Sequence, residues 1–229
     1  MLRELLRIFR SDNPIAHMGD NFGEMLELTR DMSFRAGKFF FDQPPTPDER
    51  TQIYKQDVQV NKLERRIRKQ VIAHLAVRSN GGDVPYCLLL MSLVKDVERI
   101  GDYAKNLAEV FDIGGGPLPD DENEQELQEI RVHVEGTFNA VGEVFAKSDE
   151  EQALALITQG RDMNHRCDTM IARIAKGDYD AATTTSLVLG TRYYKRIGAH
   201  LLNVLSGVVM PLHKLDYYDE DELGDGIGD

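Results

Sequence analysis

The sequence is poor in cysteine. Cys87 and Cys167 are its only two, and they lie far apart in the chain. They form no CxxC pair and no disulfide framework, which suits a reducing cytoplasm. Positive charge is also short: 27 Lys and Arg face 39 Asp and Glu, a net charge of −12. Such a chain lacks the basic footprint that a phosphate backbone demands, so nucleic acid is disfavoured as its main ligand. General adhesion to anionic membranes is disfavoured for the same reason. Long apolar runs are missing too. The longest uncharged stretch, Ile197 to Leu212, falls short of the roughly 20 apolar residues of a spanning helix. It also contains His200, Asn203 and Ser206. The opening residues MLRELLRIFRSD are interrupted by Arg3, Glu4, Arg7 and Arg10, so they do not read as a signal peptide. No integral membrane segment is expected.

Catalytic signatures are equally scarce. There is no GxSxG and no phosphate-cradling glycine loop. A carboxylate di-iron bundle needs Glu-x-x-His pairs, and none of the six histidines has a glutamate three residues before it. His165 and His200 read as structural or surface residues rather than ligands. The run GGGP at 114–117 precedes an acidic LPDDENE, which would repel a phosphate, so it reads as a linker.

What the sequence does have is helical periodicity. Apolar residues recur at spacings of three and four, and no segment sustains alternation, so the chain reads as all-α. Pro and Gly divide it. Asn13 and Pro14 open a first helix that runs to about Phe41, and DQPPTP breaks it. Pro47, Asp48 and Glu49 open a second, which ends near SNGG at 79–82. Asp83 caps a third, which stops at GGGPLP. A fourth runs from about Asp120 to Lys147. Ser148 with Glu151 reads as a capping box for a fifth, which ends at Gly177 and Asp178. A sixth spans about Asp180 to Pro211.

The expected architecture is two tandem three-helix bundles, six long helices related by internal duplication. The bounds are an N-terminal amphipathic segment at 1–13, a first bundle at 14–113, a linker at 114–119, a second bundle at 120–213 and an acidic tail at 214–229. The tail is rich in acid and glycine and is expected to be disordered. The N-terminal segment carries Leu2, Leu5, Leu6 and Phe9 on one face. It could dock on its own bundle, meet a partner or second copy, or lie on a membrane surface.

The third and sixth helices carry the repeat. KDVERIGDYAKN at 95–106 returns as RYYKRIGAHLLN at 192–203, pairing Arg99, Ile100, Gly101 and Asn106 with Arg196, Ile197, Gly198 and Asn203. Both copies keep a mid-helix glycine, which costs about 1 kcal/mol against alanine. Close approach of a neighbouring helix is the expected reason. Arg99, Gly101 and Asn106 therefore read as structural parts of the motif.

Glu98 and Asp102 are not repeated. They share a helix face one turn apart, and their repulsion would become attraction around a hard cation. Asp57, Asn61 and Glu64 line one face of the second helix, and an antiparallel pairing would bring the two stripes together across a groove. Ordinary solvated surface, or salt bridges to Arg65 and Arg99, is the competing account. In the second copy Lys195 and Ala199 replace the two acids.

DVERIGDYAKNLAE, with DVQVNKLE at 57–64 upstream, resembles the signature of the PhoU family of phosphate-transport regulators. The resemblance covers nearly the whole chain, since that family is built from two tandem three-helix bundles. It implies metal held on the bundle surface, with Glu98, Asp102, Asp57 and also Asn61 and Glu64 as ligands. The implied metal is iron or zinc, with Mg or Mn as further hard-cation candidates. Lys195 and Ala199 depart from the pattern, so no cluster is expected on the second bundle. The resemblance further implies a cytoplasmic, non-enzymatic adaptor between a phosphate transporter's ATP-binding subunit and a sensor histidine kinase. A metal-free scaffold binding another protein is the alternative, and homodimerisation is open.

Overall fold

A computed structural model describes residues 13–77 and 81–216. The N-terminal amphipathic segment up to residue 12 and the acidic tail beyond 216 lie outside the described residues. Among the described residues the long elements are six α-helices: α1 (Pro14–Phe41), α2 (Pro47–Val77), α3 (Val84–Ala108), α4 (Glu122–Lys147), α5 (Glu150–Ile174) and α6 (Ala181–Val209). The all-α reading and the three-plus-three order are as expected.

Local chemistry sets most boundaries. The Asn13 side chain accepts from the Ala16 N–H, and Pro14 follows at the first helical position, where its missing donor is harmless. At the start of α2, Thr46 Oγ1 accepts from the Glu49 N–H while Glu49 Oε2 accepts from the Thr46 N–H. This reciprocal capping box was not anticipated. The box expected at Ser148 and Glu151 is absent. Asp149 caps α5 by accepting from Gln152 N–H, and Ser148 closes α4 in the left-handed region at φ 53°. Asp83 is also diverted. Its side chain caps nothing and instead meets the buried His74 Nε2 at 2.9 Å.

Helix directions follow from the contacts. Gly19 lies against Tyr86, and Gly101 against Met32, so α1 and α3 run parallel. Asp57 meets Lys105, and Tyr54 meets Glu109, which makes α2 and α3 antiparallel. Phe22–Phe145 and Phe34–Phe138 pair α1 antiparallel with α4. Asp96–Asn203 and Tyr103–Tyr193 do the same for α3 and α6. Thus α1, α3, α4 and α6 form the middle of the molecule, while α2 and α5 flank it. One continuous apolar core runs through both halves.

The linker is a packed element rather than a tether. Gly116 N–H donates to Ala182 O, and Ser186 Oγ–H donates to Gly116 O at 2.7 Å. A Cβ on Gly115 would stand 2.6 Å from Ser186 Oγ and 2.8 Å from the Val110 carbonyl, so glycine is required there. The expected close approach holds better for one copy of the repeated glycine than for the other. At Gly198 an added Cβ would meet Met163 Cε at 2.5 Å. At Gly101 the nearest atom, Thr29 Cγ2, is at 3.5 Å, an ordinary contact.

Candidate functional site

The stripes of α2 and α3 do meet across a groove. On α3, Glu98 and Asp102 lie one turn apart with side chains 22% and 27% exposed. Asp57 and Glu64 face them from α2, 15% and 19% exposed. Asn61 is half-buried on the same stripe, between those two. Four carboxylates thus lie along the facing stripes of α2 and α3.

Their partners were only partly foreseen. Lys105 Nζ donates to Asp57 Oδ1 at 3.1 Å and to Asp102 Oδ1 at 3.2 Å, bridging the two helices. Arg99 holds the other Asp102 oxygen at 3.2 Å and lies 3.8 Å from Glu98. Glu64 is taken by Arg68 at 2.8 Å, and not by Arg65, which the competing account offered. Lys105 and Arg68 stand at i+3 and i+4 from acids of the motif, so helical spacing alone could have found them.

Glu98 is the least neutralised of the four. Burial and the nearby Asp102 push its carboxyl above the usual range, with Glu64 and Asp57 adding repulsion and Arg99 opposing it. The burial that hinders Lys105 is outweighed by Asp57 and Asp102, which hold its ammonium charged. The groove is therefore a site for positive charge, already served by a lysine. Among the described residues no three carboxylate, imidazole or thiol groups converge around one point. The donor set suits a hard cation in kind, since all are oxygens. In position, the groove as it stands fits an ammonium, and a metal would have to displace it.

The second half answers the same groove differently. Lys195 Nζ donates to both Asp168 oxygens at 2.5 Å. Ala199 offers no ligand one turn later. Lys195 opposite Asp168 matches Glu98 opposite Glu64, and seven residues earlier Arg161 stands where Asp57 does in the first half. The packing of Gly160 on Leu202 agrees with that register.

A second polar centre lies between the halves and was not anticipated. Asp96, 1% exposed, accepts from Asn203 Nδ2 and pairs with His200 Nδ1, each at 2.8 Å. Lys95 Nζ reaches the other oxygen at 2.8 Å. Burial alone would raise the Asp96 pKa, but the bonds from His200, Lys95 and Asn203 outweigh it and hold the carboxyl below its usual range. Tyr103 stacks on His200 with centroids 5.7 Å apart. Those two residues are equivalents in the repeat, so they meet on its pseudo-twofold axis. His200 is structural, as expected. Neither cysteine is placed for chemistry: both are buried, and burial pushes the Cys167 thiol up to about 12.

Comparisons with known proteins agree with this description. Residues 15–111 match the family model of the PhoU domain. No curated protein sequence matches the chain. The fold resembles the phosphate transport system regulatory protein PhoU from Streptococcus pneumoniae, with TM-score 0.72 and 14% identity over 87% of this chain and 94% of that one. It also resembles PhoU from Pseudomonas aeruginosa, with TM-score 0.66 and 20% identity over 93% and 99% of the two chains. The family model thus stops where the first half ends, while the fold likeness continues through both. No helix among the described residues is long and apolar enough to cross a membrane. Residues 15–111 of this chain thus match the PhoU domain, and the two halves together take the fold of the PhoU regulatory proteins.

Proposed function

We propose that this protein regulates phosphate uptake and the response to phosphate starvation as a cytoplasmic, non-enzymatic adaptor. Its partners are a phosphate transporter's ATP-binding subunit and a sensor histidine kinase. The observation that carries this reading is the PhoU domain at 15–111, with ERIGD at 98–102 seated on the groove between α2 and α3. The chemistry of the groove suits recognition rather than turnover. Its ionised groups are paired with one another, and both thiols are buried. Deleting the gene should derepress a phosphate-starvation reporter under phosphate-replete conditions, and restoring it should silence the reporter. An unchanged reporter would refute the regulatory role.

Within that role, the groove binds a divalent cation through Glu98 and Asp102 with Asp57, Asn61 and Glu64 from α2, and iron or zinc is the expected metal. Bound metal would supply a fixed positive charge where Lys105 now bridges Asp57 and Asp102. Metal content measured on the purified protein should fall to background in Glu98→Ala/Asp102→Ala with helicity retained. Lys105→Gln, which removes the competing ammonium, should tighten the divalent cation at least threefold. The metal-free scaffold is the second reading, and the Lys105 bridge favours it. Unchanged affinity in Lys105→Gln, with no metal in the parent, would select it.

A further inference from the structure

Helix α2 is basic in an acidic protein. It carries seven Lys and Arg against four Asp and Glu, where the whole chain has a net charge of −12. Part of that charge serves the groove, as Arg68 does at Glu64. Arg50 pairs with Asp112 and Arg66 reaches Asn21 of α1. Lys55, Lys62 and Arg65 are exposed, and among the described residues none of the three enters an ion pair. Val58, 48% exposed, lies between them, with Tyr54 at 43% and Ile72 at 61% on either side along the helix. A shallow surface groove of about 530 Å³ lined by Thr51, Tyr54, Lys55, Val58, Gln59 and Lys62 runs along this face. Cations interleaved with exposed apolar groups suit an acidic peptide that also carries apolar residues.

The chain itself has such a segment, and it starts at the seam of α3 and α6, where Asp216 N–H donates to Ser206 Oγ. Asp216, the last described residue, accepts from Lys95 Nζ at 3.1 Å on the exposed face of α3. Because α2 and α3 are antiparallel, with Asp57 opposite Lys105, Lys95 lies level with the part of α2 around Ile67. Beyond Asp216 the chain continues as YYDEDELGDGIGD, residues 217–229, with six acidic side chains and no base, together with Tyr217, Tyr218, Leu223 and Ile227. The acidic run ends six residues on, at Glu222, within about 20 Å of Asp216, and the whole segment reaches about 43 Å, when extended at roughly 3.3 Å per residue. Arg65 to Tyr54 along α2 spans only about 17 Å at 1.5 Å per residue.

We propose that the acidic C-terminal segment 217–229 docks in cis on the outer face of α2, with its Asp219–Glu222 run on Arg65 and Lys62 and the residues beyond it leading to Lys55. Lys95 with Asp216 is the first clamp of this path, and exposed Leu88 lies beside it on α3. The segment then covers the helix that also supplies one wall of the acidic groove. Any acidic protein segment seeking α2 must displace it.

Lysine acetylation followed by mass spectrometry tests this, comparing the full chain with one ending at Asp216. Lys55 and Lys62 should react at least threefold more slowly in the full chain near 50 mM salt, with Lys147 as the unaffected control. The difference should vanish in 1 M NaCl, where screening shrinks to about 3 Å. A full-length chain with Asp219, Glu220, Asp221 and Glu222 changed to Asn or Gln should react like the truncated one. Lys62→Glu/Arg65→Glu should likewise lose the protection of Lys55. Equal rates in full and truncated chains overturn the proposal. Protection that grows with protein concentration also overturns it, because the segment would then lie on a second copy.

Discussion

The two halves share a fold and differ in what they do with it. Ile100 and Ile197 are both fully buried, and each anchors the middle of its helix in the common core. Two residues earlier the halves part. Glu98 keeps an acid that burial makes costly, whereas Lys195 forms a tight pair with Asp168 and settles its groove internally. The comparison separates the residues that specify the fold from those free to carry chemistry. An excess of half-buried acid is unfavourable unless a cation compensates it, and that imbalance is what the proposed metal site rests on. The second half has the same shape, with Lys195 and Ala199 where the first half has Glu98 and Asp102.

The largest test of this comparison is at the seam between the halves. Asp96→Ala should lose about 1–3 kcal/mol of stability, because it leaves His200 and Asn203 without their shared acceptor, while the half-exposed Lys95 keeps Asp216. The measurement is urea unfolding. The sign with pH follows from the depressed carboxyl. Its contribution is present above the ordinary value of 3.8 and is lost as pH falls through the lower folded value. Asp96→Asn should therefore flatten the acid limb of a stability-against-pH curve.

The two glycines give a smaller, opposed pair. Gly101→Ala has room for its methyl group and should stabilise by about 1 kcal/mol through helix propensity. Gly198→Ala must push Met163 aside and should gain less or lose outright. Paired melting curves read the difference, and equal gains would show that Met163 yields freely.

The smallest effect belongs to Glu98. Its raised pKa means the folded chain holds that proton more tightly than the unfolded one, so ionisation costs stability as pH rises from 4.5 through the folded value. Glu98→Gln should be more stable than the parent at neutral pH by about 0.5 kcal/mol or less, given partial screening. The advantage should disappear below the ordinary carboxylate range. Added divalent cation should erase it from the other side by stabilising the parent alone.

Much of this was legible in the sequence where the cause is local. Pro14, Pro47 and the glycine after Ile174 mark helix ends because the backbone itself enforces them. The stripe of Glu98 and Asp102 followed from helical spacing. What escaped was set by contacts distant in sequence. Asp83 looks like a cap until His74 arrives from α2. Ser148 and Asp149 are both able caps, and the left-handed turn that ends α4 consumed the serine. The run at 114–119 looks like a tether because its glycines are flexible in isolation, yet Ser186, far along the chain, turns them into a packed joint. Lys105 escaped as the partner of these acids, although its spacing of three from Asp102 already offered the bridge.

That packed joint bears on how the molecule comes apart. With Gly115 and Gly116 pressed onto the start of α6, and α3 lying along α6, neither half presents a finished exterior of its own. Calorimetry should record a single melting peak for both halves together. A protease cut within 114–119 should leave two fragments that still migrate as one particle.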